Sequence, residues 1–209
     1  MILRTKFKKR EEKSQQPAKN WKQALFHDFD VIYILVGFML VYVLLFRVVE
    51  VEGSSMNQTL IDEDRLLLIS STLYHNPKQG DIIVASKDSF RGGECIVKRV
   101  IATEGQKVYI DFENRTVYVN DEPLDESYVF FHPDDNGPMI QEGMSFPLVV
   151  EEGCVFVMGD NRNDSQDSRH PDIGLIDERE ILGKAVLLLF PGTDGGKNAA
   201  DYSRIGVLS

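Results

Sequence analysis

The sequence predicts a mostly β domain of Greek-key or barrel character, preceded by one transmembrane α-helix. An uncharged apolar run occupies residues 31–46. After residue 48, short runs of Val, Ile, Leu and aromatic residues are broken by Gly, Pro, Asn and Asp, which is typical of strands and turns. Sustained helical periodicity is absent after residue 60, apart from a turn or two near 70–74 and 177–181. A chain of 209 residues accommodates one such domain with an anchor and a tail.

The charge of the chain is unevenly distributed. The net charge is −10, which argues against a general nucleic-acid-binding protein. Residues 1–30 nevertheless carry eight Lys or Arg against four acidic residues, whereas the remainder of the chain carries −14. We therefore expect the two parts to face different surroundings.

The apolar run VIYILVGFMLVYVLLF contains sixteen residues, and as a helix it would extend about 24 Å. Flanking residues lengthen the predicted span to 30–49, because Arg47 can direct its charge out of the membrane. A buried core helix and a secretory signal peptide are the alternatives. The long polar leader and the lack of an A-x-A-like site disfavour the signal peptide. The basic leader, 1–29, is expected to remain in the cytoplasm, with the domain from residue 50 onward outside.

The predicted domain covers residues 50–191 and is followed by a loop-like tail, 192–209. Residues 107–119 alternate in hydrophobicity on both sides of "ENR", which predicts a hairpin. Residues 128–144 are loop-like. Two cysteines, Cys95 and Cys154, are too few for a disulfide scaffold. They could pair outside the cytoplasm or remain free thiols.

The segment VEGSSMNQTL, residues 51–60, follows the apolar run directly. It is either a flexible linker or the carrier of a serine nucleophile at the membrane surface. A serine hydrolase commonly uses a histidine base. His27 precedes the apolar run, and the other three histidines lie in polar or Pro-flanked stretches that are typical of surface loops. A histidine-based triad is therefore disfavoured.

Lys98 is the alternative base. It lies within the strand-like sequence CIVKRVIA. A lysine acts as a base only when deprotonated, and burial among apolar residues lowers its pKa. A lysine that points to solvent is the ordinary alternative. Because side chains alternate along a strand, we expect either Lys98 or Arg99 to face inward.

The segment MGDNRNDSQDSR, residues 158–169, is rich in charged and amide side chains. Asp160, Asp164 and Asp167 could bind calcium, but the EF-hand pattern is absent. A plain surface loop is the second alternative. The buried-strand pattern CVFVMGD that opens the segment, and its mixture of Arg with Asp, favour internal ion pairs instead.

Four segments together resemble the type I signal peptidases in order and spacing: GSSMNQTL, GDIIV, IVKRVI and GDNRNDSQDSR. The closing stretch IGLIDEREILGKA is also similar, and the resemblance covers roughly residues 50–190. It implies a signal-peptidase-like β-barrel/sandwich catalytic domain behind one membrane span. It also implies a membrane-bound serine endopeptidase that removes signal peptides from secreted precursors outside the cell membrane.

The resemblance assigns roles to individual residues. Ser55, which directly precedes Met56, is implied as the nucleophile in preference to Ser54. Lys98 is implied as the general base, and Ser165 as the residue whose hydroxyl orients the lysine amine.

Two ion pairs are implied near the site. Asp167 and Arg169 match a supporting salt bridge, and Arg99 with Asp160 would form another. The backbone N–H of Ser55 would serve the oxyanion hole. Gly53 occupies the position where some members carry a hydroxyl donor, so that donor is missing here.

The chain departs from the family pattern at several turn positions. Gln58 stands where a proline is usual, ATEGQ at 102–106 replaces a G-L-P-G-D sequence, and Asp177 stands where a proline is common. These positions affect how rigidly Ser55 is held, and they leave room for a specialised member with few substrates.

The resemblance implies no metal and no cofactor. The implied partners are signal-peptide-bearing precursors and the lipid bilayer, with the secretion machinery as a further candidate and no nucleic acid. Two rival functions are a self-cleaving repressor-type Ser-Lys protease and a signal-peptidase-like chaperone for surface fibres. The apolar run contradicts the first, and the presence of both Ser55 and Lys98 disfavours the second.

Overall fold

The computed structural model describes residues 21–197 and 199–208, with side chains from residue 30 onward. The chain divides into two compact units, Met1–Val41 and Tyr42–Ser209. The first twenty residues of the predicted leader lie outside the described residues.

One long helix, α1 (Trp21–Leu45), contains most of the apolar run. Every large apolar side chain between Val31 and Leu44 is exposed. The predicted span, 30–49, is offset from this helix, because residues 46–50 form a strand. The β-branched Val48 and Val49 favour that conformation and pair with the next strand. Within 21–197 and 199–208, no helix combines the length and hydropathy expected of a membrane span.

Twelve strands follow in the part of the chain that the structure describes. They are β1 (Phe46–Glu50), β2 (Arg65–Ser70), β3 (Ile82–Ser86), β4 (Cys95–Thr103), β5 (Lys107–Asp111), β6 (Thr116–Val119), β7 (Glu122–Pro123), β8 (Leu148–Val149), β9 (Cys154–Met158), β10 (Ile176–Asp177), β11 (Ile181–Phe190) and β12 (Gly206–Val207). Two short 3-10 helices occupy Glu178–Glu180 and Tyr202–Arg204. The prediction of a mostly β domain is confirmed.

The strands form two antiparallel sheets. The larger has the order β1-β2-β11-β3-β4-β9-β10, an open path with β12 added beside β11. The smaller has the order β7-β6-β5-β8. Strands distant in sequence are therefore neighbours, so β4 lies between β3 and β9. This arrangement brings Lys98 on β4 close to the loop that follows β9.

The larger sheet is covered on both faces. Ile82 and Val84 of β3 belong to one buried apolar cluster, whereas Ile83 and Ala85 belong to another. Alternate side chains of a strand point to opposite faces, which explains why β3 is buried almost throughout. Each fully buried aliphatic side chain contributes about 1.5–3 kcal/mol of hydrophobic stabilisation. A third cluster packs against the smaller sheet.

The structure confirms several local predictions. The hairpin at 107–119 is formed by β5 and β6, with Asp111 opposite Thr116. The helical turn expected near residue 178 is a 3-10 helix that begins with a capping box at Asp177. The tail is more ordered than its sequence indicates, because it contains β12. Cys95 and Cys154 are free thiols.

Candidate active site

Ser55 lies in the loop between β1 and β2, residues 51–64. The ends of this loop are joined by hydrogen bonds from Val51 N to Asp64 O (2.8 Å) and from Glu63 N to Val51 O (2.9 Å). Met56 and Leu60 are almost completely buried in the apolar cluster on β2, β3 and β11. Burial of Met56 fixes the register of the loop and thereby the position of the adjacent Ser55.

Lys98 faces this loop from the middle of β4. Its side chain is buried, with 5% of the residue exposed. The amine Nζ lies 2.7 Å from Ser55 Oγ and 3.1 Å from Val97 O. The alternative of a solvent-facing lysine is therefore wrong. The structure buries Arg99 as well, which the alternation of side chains alone does not predict.

The environment of Lys98 favours its neutral form. Burial lowers the pKa of Lys98 to about 8, and the positive charge of Arg169 acts in the same direction. The carboxylates of Asp167 and Glu142 oppose this by raising the pKa. A substantial fraction of the amine is therefore unprotonated in mildly alkaline solution, and its lone pair can accept a proton from Ser55.

Arg99 can be buried because Asp160, which lies just after the end of β9, pairs with its guanidinium. Its guanidinium donates to Asp160 through Nε (2.9 Å) and Nη2 (2.8 Å). The guanidinium also stacks on the ring of Tyr128, 3.9 Å from the centroid. Such a bidentate pair fixes both partners, because the planar fork matches the carboxylate. The implied Arg99–Asp160 pair is present and joins β4 to the loop after β9.

The loop after β9 contains a second buried ion pair. Arg169 donates to Asp167 through Nε and Nη2, both at 2.8 Å. Ser165 Oγ also donates to Asp167, at 3.0 Å. The amine of Lys98 bonds Ser55 and Val97 instead. The structure thus links Ser165 to Asp167, whereas the resemblance implies a direct bond from Ser165 to the amine.

The same loop is attached to the segment that carries Ser54 and Ser55. Asn161 donates to Ser55 O from its backbone N (3.0 Å) and to Ser54 O from Nδ2 (3.1 Å). Ser54 Oγ donates to Asp164 Oδ2 at 2.5 Å. The two adjacent serines therefore point to different partners: Ser55 meets Lys98, and Ser54 meets an acid on the rim.

The three aspartates considered for calcium binding have separate protein partners. Asp160 pairs with Arg99, Asp164 accepts from Ser54, and Asp167 pairs with Arg169. Within the described ranges, no group of three or more His, Cys, Asp and Glu is arranged to hold a metal ion. Internal ion pairs hold Asp160 and Asp167, and a hydrogen bond from a hydroxyl holds Asp164.

Ser55 and Lys98 lie in a cleft of about 750 Å³. Apolar side chains such as Val84, Phe90 and Leu182 line it together with polar groups. No histidine is among the described residues that line it. A histidine base is thus disfavoured by geometry as well as by sequence.

Glu142 is a cleft residue that the sequence does not reveal. Its Oε2 is buried without a hydrogen-bond partner in the described chain, and its Oε1 lies 3.8 Å from Arg169 Nη2. Burial, and then the nearby Asp167, raise the pKa of this carboxyl. Glu142 belongs to the loop-like stretch 128–144, where no local pattern distinguishes it from a surface residue.

Known proteins resemble this chain over most of its length. The family described as "Signal peptidase, peptidase S26" matches residues 25–190. A probable signal peptidase I-1 from Synechocystis sp. is 35% identical over 174 residues, which cover 78% of this chain and 83% of that protein. Signal peptidase I from Bacillus licheniformis is 33% identical over 182 residues, with coverages of 85% and 95%. A crystal structure of a signal peptidase I from Enterococcus faecalis has 30% identity and a TM-score of 0.42, covering 53% of this chain and 97% of that one.

The similarities identify a hydrolase of the serine peptidase class. The chain belongs to the signal peptidase family, peptidase S26, and is a bacterial type I signal peptidase.

Proposed function

We propose that this chain is a membrane-bound serine endopeptidase that removes N-terminal signal peptides from secreted precursors with a Ser55–Lys98 dyad. The family supports signal-peptide cleavage as the activity. The observation that carries the dyad is the 2.7 Å separation of Lys98 Nζ from Ser55 Oγ at a buried position. A buried amine beside a hydroxyl can serve as its base without histidine.

The chemistry follows from this pair. The neutral Lys98 amine takes the proton of Ser55 as Oγ attacks the scissile carbonyl carbon. The ammonium then gives that proton to the leaving amide nitrogen, which yields an acyl-enzyme and frees the mature amino terminus. Lys98 next deprotonates a water molecule that attacks the ester carbonyl. As the bond to Ser55 Oγ breaks, the ammonium returns this proton to Oγ, and the signal peptide leaves with a new carboxyl group.

The surrounding residues have supporting roles in this proposal. The backbone N–H of Ser55 contributes to the oxyanion hole. Asp167 and Arg169 fix the loop that faces the amine, and Ser165 is a positioning residue that is bonded to Asp167. An extended substrate would lie along the cleft, with small residues before the scissile bond in its shallow apolar pockets.

The membrane anchor is the second part of the proposal. The run 31–46 carries no charge, and its large apolar side chains are exposed along α1 from Val31 to Leu44. A helix that is apolar all round is typical of a lipid environment or a protein core. The basic leader favours a cytoplasmic amino terminus. The catalytic domain would then lie outside, at the surface where a precursor's cleavage site emerges.

The activity is tested with the purified full chain in detergent and a precursor that bears a signal peptide. We expect a single cut that releases the mature protein, identified by its amino-terminal sequence, and no cut with Ser55→Ala. Unchanged cleavage by Ser55→Ala would overturn the dyad.

The topology is tested by adding protease to intact spheroplasts that express the chain. We expect the domain after residue 50 to be digested while an epitope at the amino terminus remains protected. A fully protected carboxyl-terminal domain would contradict the proposed orientation.

A further inference from the structure

Asp64 closes the loop that carries Ser55, and its carboxylate is fully buried. Its backbone O accepts from Val51 N, and its Oδ2 accepts from Ile61 N at 2.8 Å. A buried carboxylate is costly unless donors surround it. The remaining donors therefore determine whether this end of the loop stays in place.

Those donors come from the C-terminal tail, residues 192–197 and 199–208. Arg204 forms a bidentate pair with Asp64, from Nη1 to Oδ1 at 3.0 Å and from Nη2 to Oδ2 at 2.7 Å. The backbone N of Gly192 donates to Asp64 Oδ1 at 2.7 Å. The tail thus neutralises the charge on which the loop closure depends.

Arg204 also contacts the nucleophile loop at a second point. Its Nη2 donates to Thr59 O at 3.2 Å. The hydroxyl of Thr59 donates to Asp160 Oδ2 at 2.5 Å, and Asp160 holds Arg99. A chain of polar contacts therefore runs from the tail through the 51–64 loop to Arg99, the neighbour of Lys98 on β4.

The tail has a fixed position on the domain. A Cβ on Gly192 would lie 2.1 Å from Asp62 O and 2.7 Å from Asp64 N, so the two backbones are in direct contact there. Further along, β12 pairs with β11. Leu208 packs against the apolar cluster that contains Met56. The tail therefore docks against the same cluster that fixes the register of the nucleophile loop.

We propose that the C-terminal tail is a clamp that positions Ser55, with Arg204 as its positioning residue. This inference rests on the proposed Ser55–Lys98 dyad. Loss of the clamp would let the 51–64 loop drift while the rest of the cleft kept its shape. Misplacement of a reacting group lowers the rate of the chemical step more than it weakens substrate binding, so kcat would fall more than KM would rise.

The test compares Arg204→Met with Lys197→Met in the full chain in detergent. Lys197 is in the same tail, but its side chain is exposed and pairs with Asp194, another residue of the tail. We expect Arg204→Met to lower kcat about 10-fold or more with KM changed less than about twofold. Amide hydrogen exchange should accelerate within 51–64. Lys197→Met should match the wild type in all three measurements, and an unchanged kcat in Arg204→Met would overturn the clamp.

Arg204→Lys covers the case in which Arg204→Met does not fold. Lysine keeps the charge but cannot form the bidentate fork, so we expect partial loss of kcat and intermediate exchange in 51–64. Full kcat with unchanged exchange in Arg204→Lys would overturn the clamp.

The dyad and the clamp can be refuted independently of each other. An active Ser55→Ala refutes the dyad, whereas an inactive Ser55→Ala together with fully active Arg204 variants refutes only the clamp.

Discussion

Gly159 and Ser165 are in such close contact that a Cβ on Gly159 would lie 2.2 Å from Ser165 Oγ. The same Cβ would lie 2.4 Å from Ser55 O, which is a backbone atom and cannot rotate away. Absence of a side chain at Gly159 therefore allows the loop after β9 to lie against the backbone of Ser55. The closeness of this contact is what allows Asn161 N to reach Ser55 O.

Gly159→Ala should consequently displace Ser55 and abolish most activity. We expect kcat/KM for a precursor to fall by about 100-fold, since a shift of about 1 Å at a reacting group has effects of that order. Gly137→Ala is the matched control, because the nearest atom to its Cβ would be Asp135 Oδ1 at 3.9 Å. Activity of Gly159→Ala within twofold of the wild type would show that the contact is dispensable.

The two adjacent serines should respond differently to substitution. Ser55→Ala removes the hydroxyl that meets Lys98, so processing of the precursor should be lost. Ser54→Ala removes only the bond to Asp164, and the contacts of Asn161 with Ser54 O and Ser55 O remain. Most activity should therefore survive in Ser54→Ala. Equal losses in the two variants, measured with purified protein, would contradict the assignment of Ser55.

Glu142 should adjust the basicity of Lys98. Its carboxylate raises the pKa of Lys98, against the larger lowering by burial. Glu142→Gln removes that negative charge, so the acid limb of kcat/KM should move to lower pH. The exposed Glu152→Gln serves as the control and should leave the limb in place. A limb that moves to higher pH in Glu142→Gln would refute this electrostatic role.

The charged amine of Lys98 should lower the free energy of unfolding at neutral pH. Below pH 8 its ammonium is buried in the folded state, whereas the unfolded chain keeps an ordinary lysine pKa near 10.5. Between these values the unfolded state binds more protons, so stability rises with pH. Lys98→Met removes the buried charge at similar volume. Removal of the buried charge should raise the free energy of unfolding at pH 7 by roughly 3 kcal/mol. Loss of the hydrogen bonds of the amine should reduce this gain by about 1 kcal/mol.

Denaturant unfolding at pH 7 and at pH 10 checks this expectation. The difference in free energy of unfolding between Lys98→Met and the wild type should be smaller at pH 10, because the wild-type amine is then neutral in the folded state. If Lys98→Met were equally stabilised at both pH values, or not stabilised at pH 7, the result would contradict a buried charge at Lys98.

Local sequence patterns predict much of the fold and part of the candidate site. The alternation of residues 107–119 predicts the hairpin, and the apolar neighbours of Lys98 indicate that it can be buried. These features depend on nearby residues alone. The family resemblance adds the choice of Ser55 over Ser54, because it specifies the serine that directly precedes Met56.

Other features depend on contacts between distant residues. Arg99 is buried because Asp160, sixty-one residues later, neutralises it. Arg204 and Asp64 are 140 residues apart, so the tail resembles a plain loop until the sheet brings them together. Phe46 is the last residue of the apolar run, but it begins the strand at residues 46–50 that pairs with β2, so the helix ends before the predicted span does. Pairing partners, more than local propensity, determine these outcomes.

The most direct test of the Ser55–Lys98 dyad is the pH dependence of kcat/KM for precursor cleavage. It is measured for the wild type and for Lys98→Arg. Burial lowers the pKa of Lys98 to about 8, so activity should rise with pH along an acid limb near that value. Lys98→Arg should be inactive across the range, because a guanidinium keeps its proton. A wild-type acid limb near the ~6.5 of histidine, together with an active Lys98→Arg enzyme, would show that lysine is not the base.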